Sequence, residues 1–306
     1  MDKEALYGHA AVAAAYVIFG LNIIVNKGIA NYGQVPPEFL FALRSGVTCV
    51  VFWIMSLILP EEKVAARDLP KIAAASFLGL FVPQMTFLLA ITMATTIDTS
   101  ILGSLGPIFT MIFAFIFLKE PITVKKVGGV ALSFSGALFL IFNSVHTGGA
   151  DATTPLGAVL LLLNSLSFSL YLGIFRPLIS RYSVTAFMKW MFLFSFLMSL
   201  PFSCKSFFTI DYQAIPATVL WEIAFLVIFA TVFAYLLIPY GQKRIRPTLV
   251  SMYSYLQPII AAVVSVIIGM DRLGWQKVLA IVMVFGGVVL VNSSKSANKL
   301  MLNKKV

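Results

Sequence analysis

Residues 99–142 read TSILGSLGPIFTMIFAFIFLKEPITVKKVGGVALSFSGALFLIF, and residues 250–293 read VSMYSYLQPIIAAVVSVIIGMDRLGWQKVLAIVMVFGGVVLVNS. Shifted by 151 positions, the two stretches lie on one another without a gap. Ser100 falls on Ser251, Leu105 on Leu256, Pro107-Ile108 on Pro258-Ile259 and Ile116 on Ile267. Lys126-Val127 falls on Lys277-Val278, Phe134 on Phe285 and Gly136 on Gly287, with Glu120 on Asp271. The identities are sparse but ordered, so the chain is built from two copies of one unit.

Composition places both copies in a bilayer. Hydrophobic residues make up 60% of the 306 and charged residues 11%, against about 45–50% and about 25% in soluble domains. Mean hydropathy is +0.96. So little polar surface cannot face water, and the length allows about ten spans of roughly 20 residues. The net charge of +10 would point to nucleic acid in a soluble protein. Here it is the ordinary excess of basic residues in cytoplasmic loops, and no nucleic-acid partner is expected. Cys49 and Cys204 both lie in apolar stretches, and two isolated thiols make neither a disulfide framework nor a metal site. Lys3 before the apolar run 10–19 resembles a signal peptide, but the run is long enough to span and reads as an uncleaved first helix.

Apolar runs broken by charge, Pro or Gly predict ten helices. They fall at 8–27, 37–59, 70–93, 97–118 and 124–142, then at 155–175, 183–202, 216–242, 247–269 and 274–292. The break at Ala94-Thr95-Thr96 carries no charge, and it is kept because one 49-residue span is too long for a bilayer. The polar stretch 143–154 joins the halves, which divide as 1–145 and 146–306. Five spans in each half invert the second relative to the first. Inverted repeats are a device of secondary transporters, which alternate access around a site between the repeats.

Charge supports this topology independently. With a cytoplasmic N-terminus, 16 of the 22 Lys and Arg fall on the inside. Four, Lys27, Lys205, Arg272 and Lys277, fall outside, and Arg44 and Lys189 lie within spans. That asymmetry is a positive-inside signal. It predicts a multi-pass protein of the cell membrane with both termini cytoplasmic.

The pattern resembles the drug/metabolite transporter superfamily, specifically proteins built from two EamA-type repeats. The resemblance rests on Pro107, Lys119-Glu120-Pro121, Gly128-Gly129 and Gly136, and on Pro258, Asp271 and Gly286-Gly287 in the second half. Phe19-Gly20 with Asn22 and Lys27 is similar to the first-helix signature, which more often has Trp before Gly. The resemblance covers the whole chain. It implies a ten-helix exporter with a central cavity lined by helices one, three, four, six, eight and nine.

Pro107 and Pro258 each remove a backbone donor about ten residues into a span. In lipid such a break is tolerated only against protein or a water-filled cavity, so the two are either a kinked pair lining the pathway or packing kinks. Glu120 and Asp271 close the fourth and ninth helices, for coupling or simply to end a helix and order the next turn. Arg44 and Lys189 are ionisable groups within spans, hence functional candidates. Each is either a cationic lip for a solute carboxylate or phosphate, or a side chain that snorkels to the interface. Glu38 precedes Arg44 by six residues, a poor spacing for one helix face. The candidate solute-binding residues are Asn22, Arg44, Gln84, Ser104, Asn164, Tyr171, Tyr235, Tyr255 and Gln257. Asn164, Ser167 and Tyr171 share one helix face, whereas Tyr32, Tyr182 and Tyr240 at span ends read as interfacial anchors.

These residues predict a transporter that exports a small organic metabolite, such as an amino acid or related compound. It needs no cofactor and no metal, and works as a monomer or weak homodimer. A proton-coupled exporter of lipophilic cations would need a deep carboxylate; helix one has none, and Asp98 and Glu222 lie near span ends. An exchanger of phosphorylated solutes would need more intramembrane cations than Arg44 and Lys189. An enzyme is not expected: His9 and His146 are the only histidines, and neither an HExxH pattern nor a deep carboxylate cluster is present.

Overall fold

The computed structural model describes residues 3–292 apart from 59–61, 107, 110–111, 114–115, 117–122, 148–151, 180, 243, 245–252 and 254–255. Among the described residues every regular element is a helix. In the first half these are α1 (Lys3–Tyr32), α2 (Pro37–Ile58), α3 (Leu69–Ser76, a π-helical turn Phe77–Phe81, then Val82–Met93), α4 (Thr96–Gly103) and α5 (Val124–Thr147). The second half holds α6 (Pro155–Ile179), α7 (Val184–Thr209), α8 (Ala217–Val227, a π-helical turn Ile228–Phe233, then Ala234–Gln242), α9 (Leu256–Ile267) and α10 (Trp275–Asn292). Six of them, all but α4, α5, α9 and α10, contain a stretch long and apolar enough to cross a membrane.

Helix ends follow local chemistry. Pro37 and Pro155 open α2 and α6, where the missing donor costs nothing. The Ser183 and Thr95 side chains accept from the backbone of Ala186 and Asp98, capping α7 and α4. Gly33 (φ 78°) and Gly269 (φ 73°) follow α1 and α9 in the left-handed region, the usual helix stop. The chargeless break after α3 is real: Ala94 and Thr95 are extended. α1 and α7 run several residues beyond the apolar stretches that predict them, because a helix continues into the interface until a cap stops it.

Large apolar side chains face outward, among them Leu57 at 84%, Phe208 at 88% and Trp221 at 76% exposure. A surface of this kind is covered by lipid, not water. Inside, one cluster around Ile97, Ile101, Leu105 and Val284 joins α4, α5, α6 and α10. A second around Phe39, Leu88 and Ile223 joins α1, α2, α3 and α8, and a third around Phe52, Ile72 and Phe187 joins α2, α3, α6 and α7.

The packing partners come in reciprocal pairs. α1 packs on α8 as α6 packs on α3, and α1 on α9 as α6 on α4. α2 packs on α7 and α5 on α10. The last pair is closest. A Cβ added to Gly136 would meet Met283, Val284 and the Ala280 carbonyl, and one added to Gly287 would meet Ser133 and the Gly129 carbonyl. Two of these contacts recur at the 151-residue shift: Gly136 with Ala280 and Val284 matches Gly287 with Gly129 and Ser133. Farther along, Phe139 meets Trp275 and Gly128 meets Leu290. Positions rise on α5 as they fall on α10, so the two helices run antiparallel. Small residues at the crossing let the backbones approach.

Candidate functional site

Helices α3 and α8 are each interrupted by a π turn, and the turns begin at Phe77 and Ile228, 151 positions apart. Such bulges recur at functional sites because they free backbone groups and re-aim side chains. In α3 the cause is legible: Pro83 has no amide hydrogen to give the previous turn. The broken backbone is satisfied from α6. Asn164 donates to the Pro83 carbonyl (2.7 Å) and Ser167 to the Leu78 carbonyl (2.8 Å). The Tyr171 ring lies where a side chain on Gly79 would stand, with ring atoms 2.6–2.9 Å from a Cβ built there. The shared face of Asn164, Ser167 and Tyr171 thus stitches α6 to α3. In α8 no Pro or Gly marks the bulge. There Thr231 donates to the Leu226 carbonyl five residues back (2.8 Å), and its oxygen turns toward α2.

That oxygen accepts from the Arg44 Nε (3.1 Å). Arg44 is 3% exposed. Its Nη1, with Thr48 Oγ1 and Ser195 Oγ, has no hydrogen-bond partner among the described residues. Arg44 lines a small cavity with Phe41, Ser45, Leu80, Gln84, Phe192, Ser195 and Thr231. The space holds about one water. Tyr235 sits against it, close to Gln84, Arg44 and Tyr171. Its ring meets Phe192 edge-on at 5.5 Å and Phe19 at 6.4 Å.

The structure therefore brings together Arg44, Gln84, Tyr235 and Tyr171 of the sequence-derived set. The other described members stand apart from this cavity's lining. Asn22 is bonded by Asn26, Ser104 donates to the Ser100 carbonyl, and the Gln257 carbonyl packs over Gly20. Pro258 is buried in the first described turn of α9. Pro107, Tyr255 and Glu120 lie outside the described residues. The Glu38–Arg44 pairing is not made: Glu38 accepts from Ser206 on α7 (2.8 Å), as six-residue spacing on one helix dictates. Lys189 lies over the Trp53 ring, 5.0 Å from its centre, a cation–π contact within the α2–α7 seam.

Two polar knots close opposite ends of the bundle. At one, Lys277 reaches Asp271 (2.7 Å), Asp98 (3.6 Å) and the Thr95 hydroxyl (3.1 Å). Asp271 also accepts from the Ile97 amide (3.0 Å) at the start of α4, and Asp98 accepts from Thr153. Lys27 donates to the Ile91 and Ala94 carbonyls at the end of α3, a favourable place for a cation. Asp271 thus orders its own turn and also ties it to α4. At the other end, Asp68 accepts from Lys71 (3.1 Å), Arg181 (2.7 Å) and Tyr182 (2.8 Å). Tyr32 similarly donates across the halves to the Ala214 carbonyl (2.9 Å). The span-end tyrosines Tyr32 and Tyr182 are therefore ties between loops as well as interfacial rings. Sequence reasoning did not reach these knots, the π turns, or the roles of Thr231 and Ser195. Their only sequence signals were Pro83 and the repeat partners Lys126 and Lys277.

A lipid-facing helical bundle with a buried polar site at interrupted helices defines a polytopic membrane protein that handles a solute within the bilayer. The profile of the EamA-like transporter family matches residues 6–142 and, a second time, 155–293. The chain belongs to the EamA-like transporter family. It is 25% identical to the uncharacterized transporter YetK of Bacillus subtilis, over 94% of this chain and 87% of that one. It is 24% identical to a WAT1-related protein of Arabidopsis thaliana, over 94% and 85%. It is 26% identical to a probable terminal-alkyne amino-acid exporter of Streptantibioticus cattleyicolor, over 79% and 78%. One solved crystal structure shares the fold with a TM-score of 0.62 at 17% identity, covering 95% of this chain and 96% of its own.

Proposed function

We propose that this membrane transporter exports a small organic metabolite, an amino acid or related compound, by alternating access between two inverted five-helix repeats of ten spans in all. The observation that carries the reading is the reciprocal, antiparallel contact of α5 and α10, with Gly136 on Ala280 and Gly287 on Gly129. Antiparallel packing of repeat-equivalent helices is what inversion about an axis in the membrane plane requires. The repeats are residues 1–145 and 146–306, with both termini cytoplasmic in the cell membrane and one chain as the working unit. The double family match and the name of the amino-acid exporter among the relatives support the reading. Asn22, Ser104, Asn164, Tyr255 and Gln257 complete the pathway lining when the halves rock apart. Opening at the end held by Lys277 requires Lys277 to part from Asp98 and Thr95, and Asp271 from the Ile97 amide.

A buried guanidinium without a carboxylate partner among the described residues disfavours a lipophilic-cation substrate, which it would repel. The test is flux from proteoliposomes preloaded with labelled amino acids. Efflux above protein-free vesicles, saturable and competed by unlabelled solute, is the expected result. No flux of any member of a broad metabolite panel by correctly folded protein would overturn the reading.

A further inference from the structure

We propose that the cavity at Arg44 is the docking site for a single carboxylate on the transported solute, and that the rest of that solute is apolar or aromatic. The proposal deepens the transporter reading above and rests on it. Charge gives the first argument. Arg44 is buried in the α2–α3–α7–α8 seam, and among the described residues no carboxylate pairs with it. Glu38, the nearest acid in sequence on its helix, is taken by Ser206. A guanidinium in a bilayer-embedded protein needs a counter-charge or water, and a cavity for about one water gives little of either. The missing negative charge is the solute's.

Hydrogen-bond chemistry gives the second. Thr231 holds the Nε, which fixes the plane of the guanidinium and leaves Nη1 open. Ser195, also in the cavity lining, offers a hydroxyl without a partner among the described residues. An open guanidinium N–H and a hydroxyl that can donate are what a carboxylate accepts from. A phosphate dianion is a poorer match, because Lys189 is committed to the Trp53 face and one guanidinium is the cation of the cavity. Phe41, Leu80 and Phe192 line the same cavity beside Ser45 and Gln84, with Tyr235 edge-on to Phe192. The three apolar side chains suit an apolar or aromatic body next to the carboxylate.

The experiment measures binding of three aromatic probes to the purified full-length protein by isothermal titration: 3-phenylpropionate, 3-phenylpropionamide and 3-phenylpropyl phosphate. The carboxylate is expected to bind at least about tenfold more tightly than the amide or the phosphate. Arg44→Gln should lose about thirtyfold or more in carboxylate affinity, and with it the carboxylate's advantage over the amide. If Arg44→Gln does not fold, Thr231→Val and Ser195→Ala serve, each expected to weaken the carboxylate several-fold. Equal affinity for carboxylate and amide, no binding of the carboxylate, or unchanged affinity in the folded variants overturns the proposal. Flux that is insensitive to Arg44→Gln overturns it too while sparing the transporter reading. Carboxylate binding without flux of any solute overturns the transporter reading, and with it the claim that the bound carboxylate belongs to a transported solute.

Discussion

The Ser133 hydroxyl donates to the Val284 carbonyl at 2.9 Å, and the two residues are 151 positions apart. They are therefore equivalent positions of the two repeats, in direct contact. A residue can touch its own equivalent only on or beside the axis that relates the copies, as at a two-fold interface between identical subunits. On the two-repeat reading proposed above, the α5–α10 seam is where that axis passes, and its packing makes a sharp stability expectation.

Gly287→Ala should destabilise the protein by about 1–3 kcal/mol, because its new Cβ would fall on the Gly129 carbonyl and Ser133. Gly286→Ala should be nearly silent, since the nearest atom to its Cβ is a Leu132 methyl at 3.7 Å. Thermal unfolding of the two variants in one detergent checks the pair. Equal melting temperatures would mean that the seam is looser than described.

Lys277→Met should cost on the order of 3 kcal/mol, because it leaves Asp98 and Asp271 without their shared cation. Adding Asp98→Asn should recover part of the loss, since one of the two buried carboxylates that lose the Lys277 cation is then neutral. A double-mutant cycle of unfolding free energies measures the coupling. Strict additivity would show that Lys277 and Asp98 do not interact.

Asn164→Leu should cost about 1–3 kcal/mol by orphaning the Pro83 carbonyl at the α3 break. Its melting temperature should fall, whereas Ser104→Ala, which removes only a bond to its own helix, should melt like the parent. Unfolding midpoints decide this. A stable Asn164→Leu protein would show that the carbonyl finds another donor.

A cysteine placed at Gly149 in an otherwise cysteine-free protein should react with an impermeant maleimide in intact cells. The expectation comes from the 16-to-4 distribution of basic residues about the connector 143–154. Labelling only after permeabilisation would reverse the topology.

The break at Ala94-Thr95 was readable without charge because bilayer thickness limits a span, and the repeat was readable because 151 residues separate matching Pro, Lys and Gly. The candidate site was half legible. Arg44, Gln84, Tyr171 and Tyr235 were visible as polar groups in apolar spans, where any such group is conspicuous. Thr231 and Ser195 were not, because hydroxyls in membrane helices usually bond their own backbone and carry no signal of a partner across the bundle.

The sequence by itself determined a helical membrane protein of duplicated design, because hydropathy, charge asymmetry and internal repetition are properties of the chain that need no contacts. Only the tertiary structure decided which helices meet, which way Glu38 turns, and that Asn164 and Ser167 mend α3. The π turn of α8 aims Thr231 at Arg44 with neither proline nor glycine to announce it. Such pairings depend on a few tenths of a turn of helix rotation and on groups more than a hundred residues apart, and only packing in three dimensions fixes them.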